Sequence, residues 1–297
     1  MQTVIPRKLN KRIYASGYIF LLVVCLMVTG LEQRRLQTEL LVRKIELAGI
    51  DYDGFREMRL EGDDLITIDK KLSRLIKKNP SLKTCAYIDP VGYLTFSMMV
   101  CDYNLLNGNI PDGMTFLRGV SRIADNRSFT ELYGYYKAIW SDLRCFPVPR
   151  VQEGSADITY EDSWYVLRSY GGNHRHEGTD LMASNNTRGY FPVISITGGV
   201  VENIGWLEQG GNRIGIRSGS GGYFYYAHLD SYAAGLKARD AVRAGQLIGY
   251  MGDSGYGSEG TVGQFDVHLH LGIYVHTAAC EMSVNPYYIL KIIEEVR

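Results

Sequence analysis

Between Ile13 and Leu31 the chain has nineteen residues without a charged side chain, most of them apolar. A segment that leaves water must satisfy its backbone hydrogen bonds internally, and for a single segment a helix is the solution. At 1.5 Å per residue, nineteen residues reach about 28 Å, close to the roughly 30 Å hydrocarbon layer of a bilayer. Arg7, Lys8, Lys11 and Arg12 precede the run, and such a cluster favours the cytoplasmic side. The expectation is a basic cytoplasmic tail at 1–12, a transmembrane signal-anchor at 13–31 and an extracytoplasmic remainder. Val28 and Gly30 also fit a small-residue cleavage pattern, which would release a secreted protein. A buried core helix is a third reading, disfavoured by the adjacent basic cluster.

Behind the run, Leu36, Leu40, Leu41 and Ile45 fall at helical spacing among Arg34, Arg35, Arg43 and Lys44. This predicts a helical stalk continuing from the membrane, through which the chain could oligomerise, although its stripe is short for a coiled coil. Asp69 to Lys78 places Leu72, Leu75 and Ile76 on one helical face, with basic residues elsewhere and Asn79-Pro80 as the stop. Thr84 to Asp89, Pro90-Val91-Gly92 and Tyr93 to Cys101 read as a strand, a turn and a second element. Ser128 to Leu143 reads as a helix capped by Ser128, with Glu131 three residues on. Two prolines in Cys145-Phe-Pro-Val-Pro149 then enforce an extended linker. The region 32–149 is thus an extracytoplasmic stalk of helical or α+β character, with a further domain from 150 to 297.

Formal charge is zero, from 32 basic and 32 acidic residues. A nucleic-acid partner would call for a basic face, so none is expected. Cys25 lies in the apolar run; Cys85, Cys101, Cys145 and Cys280 allow three pairings that spacing cannot rank. None sits at zinc-finger spacing.

From about residue 155 short β-like runs alternate with glycine-rich turns. Val200–Ile204, Arg213–Ile216, Tyr223–Ala227, Gln246–Tyr250 and Val267–Tyr274 are the clearest. Without intervening helices they predict an antiparallel β-domain.

All six histidines follow residue 173. His268 and His270 are two apart, which puts them on one face of a strand but about 200° apart on a helix. The apolar Val267, Leu269, Leu271, Ile273 and Val275 favour the strand and turn both histidines away from the core. His176 and Asp180, four apart, can share a face in either structure, with Gly178 permitting a tight approach. Two histidine nitrogens, an aspartate oxygen and an open fourth position make a reasonable tetrahedral zinc set. Spacing leaves open whether His268 or His270 is the ligand. His228 in Tyr225-Tyr-Ala-His-Leu229 gains a functional reading from this company. His174 and His276 read as ordinary surface or core residues.

The segments His176-Glu-Gly-Thr-Asp180, Gly198-Gly-Val-Val201, Tyr226-Ala-His-Leu229, Val242-Arg-Ala-Gly-Gln-Leu-Ile-Gly249, Gly252-Asp-Ser-Gly255 and His268-Leu-His270 stand in one order over nearly half the chain. Together they resemble the lysostaphin-like, LytM-type zinc metalloendopeptidases of bacterial cell walls, over about residues 155–290. The resemblance implies a LytM-like antiparallel catalytic domain, zinc held by His176, Asp180 and His270, and His228 and His268 beside it as catalytic residues. One of the two would act as general base and the other would stabilise the oxyanion. It implies a peptidoglycan substrate, cut in the stem or the cross-bridge, and a groove with Gly171-Gly172-Asn173 and Ser254–Val262 at its rim. Where members of the family carry Gly-Asp before the Val-x-x-Gly-Gln segment, this chain has Arg239-Asp240.

The resulting expectation is a membrane-anchored zinc endopeptidase working on the cell-wall side. The alternative is a non-catalytic wall-binding or hydrolase-activating module of the same fold. Related carboxypeptidases use a longer His-to-Asp spacing and a Glu-x-x-His partner, which are absent from these motifs.

Overall fold

The computed structural model describes residues 7–150, 156–169 and 173–295. Helices form its first half: α1 (Arg7–Ala48), α2 (Tyr52–Glu57), α3 (Gly62–Lys78), α4 (Pro90–Val100), α5 (Gly113–Ile123) and α6 (Arg127–Trp140). α1 is continuous from the apolar run through Ala48. Part of it is long and apolar enough to cross a membrane, and none of its apolar window is buried, which removes the core-helix reading. Its C-terminal half packs against α5 and α4 through Val42 and Ile45, with Thr38 also buried. The buried stripe is therefore offset from the expected one, and Leu36 and Leu40 remain exposed.

α3 matches its expected face, with Leu72 and Leu75 buried. The strand expected at Thr84–Asp89 is not formed. A short 3-10 turn at Pro80–Thr84 leads to α4, where Pro90 occupies the first turn and the Asp89 carboxylate accepts the Gly92 amide. α4 is buried on all sides from Gly92 to Val100, so it shows no amphipathic period and its apolar run was ambiguous. α6 is capped by Asn126 rather than Ser128, through the Phe129 amide at 3.0 Å. It ends at Trp140; Leu143 instead bridges to Thr197.

The second half is antiparallel sheet. Its strands are β1 (Ile158–Thr159), β2 (Leu167–Arg168), β3 (His174–Arg175), β4 (Thr179–Ala183), β5 (Pro192–Ile194), β6 (Gly199–Leu207), β7 (Gly211–Ser218), β8 (Tyr223–Tyr232), β9 (Ala241–Val242), β10 (Leu247–Met251), β11 (His268–His276) and β12 (Glu281–Val284), followed by α7 (Pro286–Glu294). The main path runs β1-β4-β11-β8-β7-β6-β9, with β5, β10 and β12 branching from it and β2-β3 a separate hairpin. Each of the five strand runs expected beyond residue 155 is present. Alternation buries Ile214, Ile216, Phe224, Tyr226, Leu269, Leu271 and Ile273 on one face and leaves the other to line a groove. Cys145–Pro149 runs extended beside the sheet, with Pro147 accepting the Ile194 amide and Phe146 and Val148 buried. All five cysteines are unpaired.

Helices and sheet meet at Arg56 of α2. Its guanidinium donates to the Ser283 carbonyl (2.9 Å), the Ser283 hydroxyl (2.8 Å), Glu177 (3.1 Å) and the Tyr165 hydroxyl (3.2 Å). It also lies over the rings of Trp164 and Tyr165.

Candidate active site

Strand pairing assembles the site from distant segments. His270 on β11 stands opposite Asp180 on β4, and the loop before β4 returns His176 to the same point. Three donor atoms converge there. His176 Nε2 is 3.1 Å from Asp180 Oδ1 and 3.1 Å from His270 Nδ1, and the latter two are 2.9 Å apart. Tetrahedral ligands on zinc at about 2.0–2.1 Å stand roughly 3.3–3.4 Å from one another. Opening this triangle by a few tenths of an ångström would admit the ion, so the donor set fits a metal in size and chemistry.

The surroundings orient each donor. His176 Nδ1 lies 3.0 Å from both the Ser163 carbonyl and the Ser163 hydroxyl; with its proton on the carbonyl, Nε2 would be the lone pair offered to a metal. Arg168 donates to Asp180 Oδ2 at 2.5 Å, turning Oδ1 towards the histidines. Burial alone would raise the Asp180 carboxyl, but its contacts with the imidazoles of His176 and His270, and the nearby His268, hold it far below the usual range. Burial lowers His270 against the opposing pull of Asp180. Gly178 makes the packing feasible, because a Cβ there would come within 2.4 Å of His270 Cε1.

His228 and His268 stand beside the triangle, with ring centroids 4.7 Å apart. His268 Nδ1 contacts the Asp266 carbonyl at 2.7 Å; its Nε2 is buried without a partner, 3.8 Å from Asp180 Oδ1. His228 Nδ1 contacts the Ser254 carbonyl at 2.8 Å. Burial, then the charges of His268 and His270, push His228 well below an ordinary histidine. Simple alternation along β8 would have sent His228 into the core. A register shift opposite Asn212–Ile214 and a left-handed φ of 62° at His228 turn it back to the groove.

All five expected site residues therefore come together. His174 lines the groove near them, and His276 is exposed, paired with Glu281. Of the expected rim, Gly171 and Gly172 lie outside the described residues, while Tyr256 of the second loop lines the groove. Arg168, Arg213, Tyr223, Tyr225 and Tyr274 also line it, and sequence reasoning did not single them out. Alternation along β7 and β8 carried the signal for Arg213, Tyr223 and Tyr225, because their neighbours are the buried apolar residues. Arg239, where the resembling pattern has glycine, adopts a left-handed φ of 75°.

An antiparallel sheet presenting two histidines and an aspartate to an open groove, with two more histidines alongside, has the makings of a metal-dependent hydrolase. The comparisons agree with that class. The chain belongs to peptidase family M23, whose model matches residues 174–286. It is 42% identical, with a TM-score of 0.67, to a crystal structure of a candidate glycyl-glycine endopeptidase LytM from Ruminococcus gnavus, over 84% of this chain and 93% of that one. It is 38% identical over 194 residues to the L-Ala--D-Glu endopeptidase of Bacillus subtilis, covering 65% of this chain and 57% of that protein. Lysostaphin of Staphylococcus simulans is 33% identical over 129 residues, 43% of this chain and 23% of its own length. The chain thus spans little more than half of the first of these curated relatives and about a quarter of the second.

Proposed function

We propose that the protein is a membrane-anchored zinc metalloendopeptidase that hydrolyses peptide bonds of peptidoglycan on the outer side of the cell membrane. The observation that carries this reading is the triangle of His176 Nε2, Asp180 Oδ1 and His270 Nδ1, with sides of 2.9–3.1 Å. Zinc held there would supply Lewis acidity to the scissile carbonyl and acidify a water. His268 offers a buried, unpartnered Nε2 lone pair beside the triangle, suited to take up a proton. His228, whose Nδ1 also contacts a carbonyl, presents a second imidazole. The sequence led to one base and one oxyanion donor; these contacts equip both rings as acceptors at rest. The ring that takes the proton then becomes the donor, first to the developing oxyanion and then to the departing amine. α1 would hold the domain at the bilayer surface, within reach of the wall.

The test is incubation of full-length protein, in detergent, with sacculi from several species, with zinc and with a chelator. New amine termini that depend on zinc, and muropeptides whose masses identify the bond, are the expected outcome. Binding to the wall with no new termini would overturn the hydrolase reading in favour of a non-catalytic module.

A further inference from the structure

The metal triangle uses one part of the groove, and the rest of the floor has an arrangement of its own. A row of residues crosses the sheet at right angles to the strands. Asp180 of β4 faces His270 of β11, His270 faces Ala227 of β8, and Arg213 of β7 stands opposite the irregularity at Ala227 and His228. Neighbouring strands lie about 4.7–4.9 Å apart, so the Arg213 backbone is about 10 Å from that of His270. Ala227 between them contributes only a methyl group and leaves the row open. Tyr223 and Tyr225 point to the same side, each lying over a glycine: a Cβ at Gly215 would meet the Tyr223 hydroxyl and one at Gly210 the Tyr225 hydroxyl. Burial pushes the Tyr225 phenol up to about 12, so it stays a hydrogen-bond donor.

The charges around this floor are matched except at one point. Asp180 is bound by Arg168, Glu177 by Arg56, and Glu281 by Arg217. Arg175 rests on the carbonyl and the ring of Tyr165. Among the described residues Arg213 has no ion pair, and its Nη1 is buried without a hydrogen-bond partner. A guanidinium carries five donors and cannot shed its charge in a protein. Leaving a buried charged donor unmet costs more than the roughly 1–3 kcal/mol of a neutral one. In a peptide, the group that satisfies the planar fork in two parallel bonds is a carboxylate.

We propose that Arg213 is a carboxylate-binding, specificity-determining subsite, so that the site takes peptides bearing a free acid near the cleaved bond in preference to uncharged bridges. This rests on the reading that the groove cuts peptidoglycan peptides, and it narrows the substrate class within that reading. An extended peptide advances about 3.3 Å per residue. The 10 Å row therefore puts the acid within about three residues of the bond at the metal site.

The test uses full-length, zinc-loaded protein in detergent and synthetic stem peptides in which one glutamyl carboxylate is free or amidated. Wild type should show a kcat/KM about 10–100-fold higher for the acid, mostly through KM, as for one lost charged hydrogen-bonded contact. Arg213→Gln should bring the acid down to the level of the amide, and Arg213→Lys should recover part of the preference. Equal handling of both peptides by wild type, or a preference that survives Arg213→Gln, overturns the proposal. Equilibrium binding of the same pair to metal-free protein reads the preference without turnover. A binding preference without cleavage would refute the hydrolase reading and uphold the subsite; cleavage without a preference would do the reverse.

Discussion

Replacing Gly178 by alanine tests how tightly the metal triangle is packed. The new Cβ would lie 2.4 Å from His270 Cε1, 2.5 Å from Nε2 and 2.7 Å from the Leu271 carbonyl oxygen. Carbon atoms pack at about 3.5–4.0 Å, so the ring or the loop must yield by about 1 Å. The loop is no freer than the ring, because it carries both His176 and Asp180. A metal site tolerates about ±0.2 Å in its bond lengths, so the required shift is roughly five times what one ligand can absorb. Zinc affinity should fall by at least the 10–100-fold seen when only an orienting partner of a ligand is lost, equivalent to about 1.4–2.8 kcal/mol. Competition against a chromophoric chelator measures this directly. The backbone at Gly178 does not have a positive φ, so the metal-free fold should lose only the roughly 1–3 kcal/mol of overpacking. Gly134→Ala in α6, where a Cβ meets nothing within 4 Å, is the matched control. Wild-type zinc affinity in Gly178→Ala would refute the close approach and the ligand geometry built on it.

His176→Ala and His270→Ala should lose zinc and cleavage together, whereas His268→Ala should retain stoichiometric zinc and lose about 10²–10⁴ in kcat; metal analysis beside a peptide assay separates the two. Arg56→Ala removes a mostly buried fork bonded to Ser283, Glu177 and Tyr165. It should destabilise the protein by about 3 kcal/mol, lowering the melting temperature by about 6 °C or more in calorimetry. Arg239→Gly relieves a left-handed residue at φ 75° worth about 1–2 kcal/mol. After the entropy cost of glycine, a net gain of about 0.5–1 kcal/mol should appear in urea unfolding.

Periodicity was enough for much of this protein. The spacing of two in His268-Leu-His270, set among alternating apolar residues, required a strand with both rings on one face, because side chains on a strand repeat every second residue. The uncharged run at 13–31 likewise required a helix, and the glycine-punctuated runs required short antiparallel strands. Dividing His268 from His270 by role took the family resemblance. Other features depend on partners far away in the chain. α4 is surrounded by core, which erased the helical period that would have distinguished it from a strand. His228 reaches the groove only through a register shift against β7, which a sequence of alternating residues cannot reveal. Arg168, Arg56 and Arg213 are placed by what surrounds them in the fold: the Asp180 carboxylate, the junction of helices and sheet, and the groove floor. Local repeats decide which side a residue faces; only strand pairing and helix packing decide what it meets there.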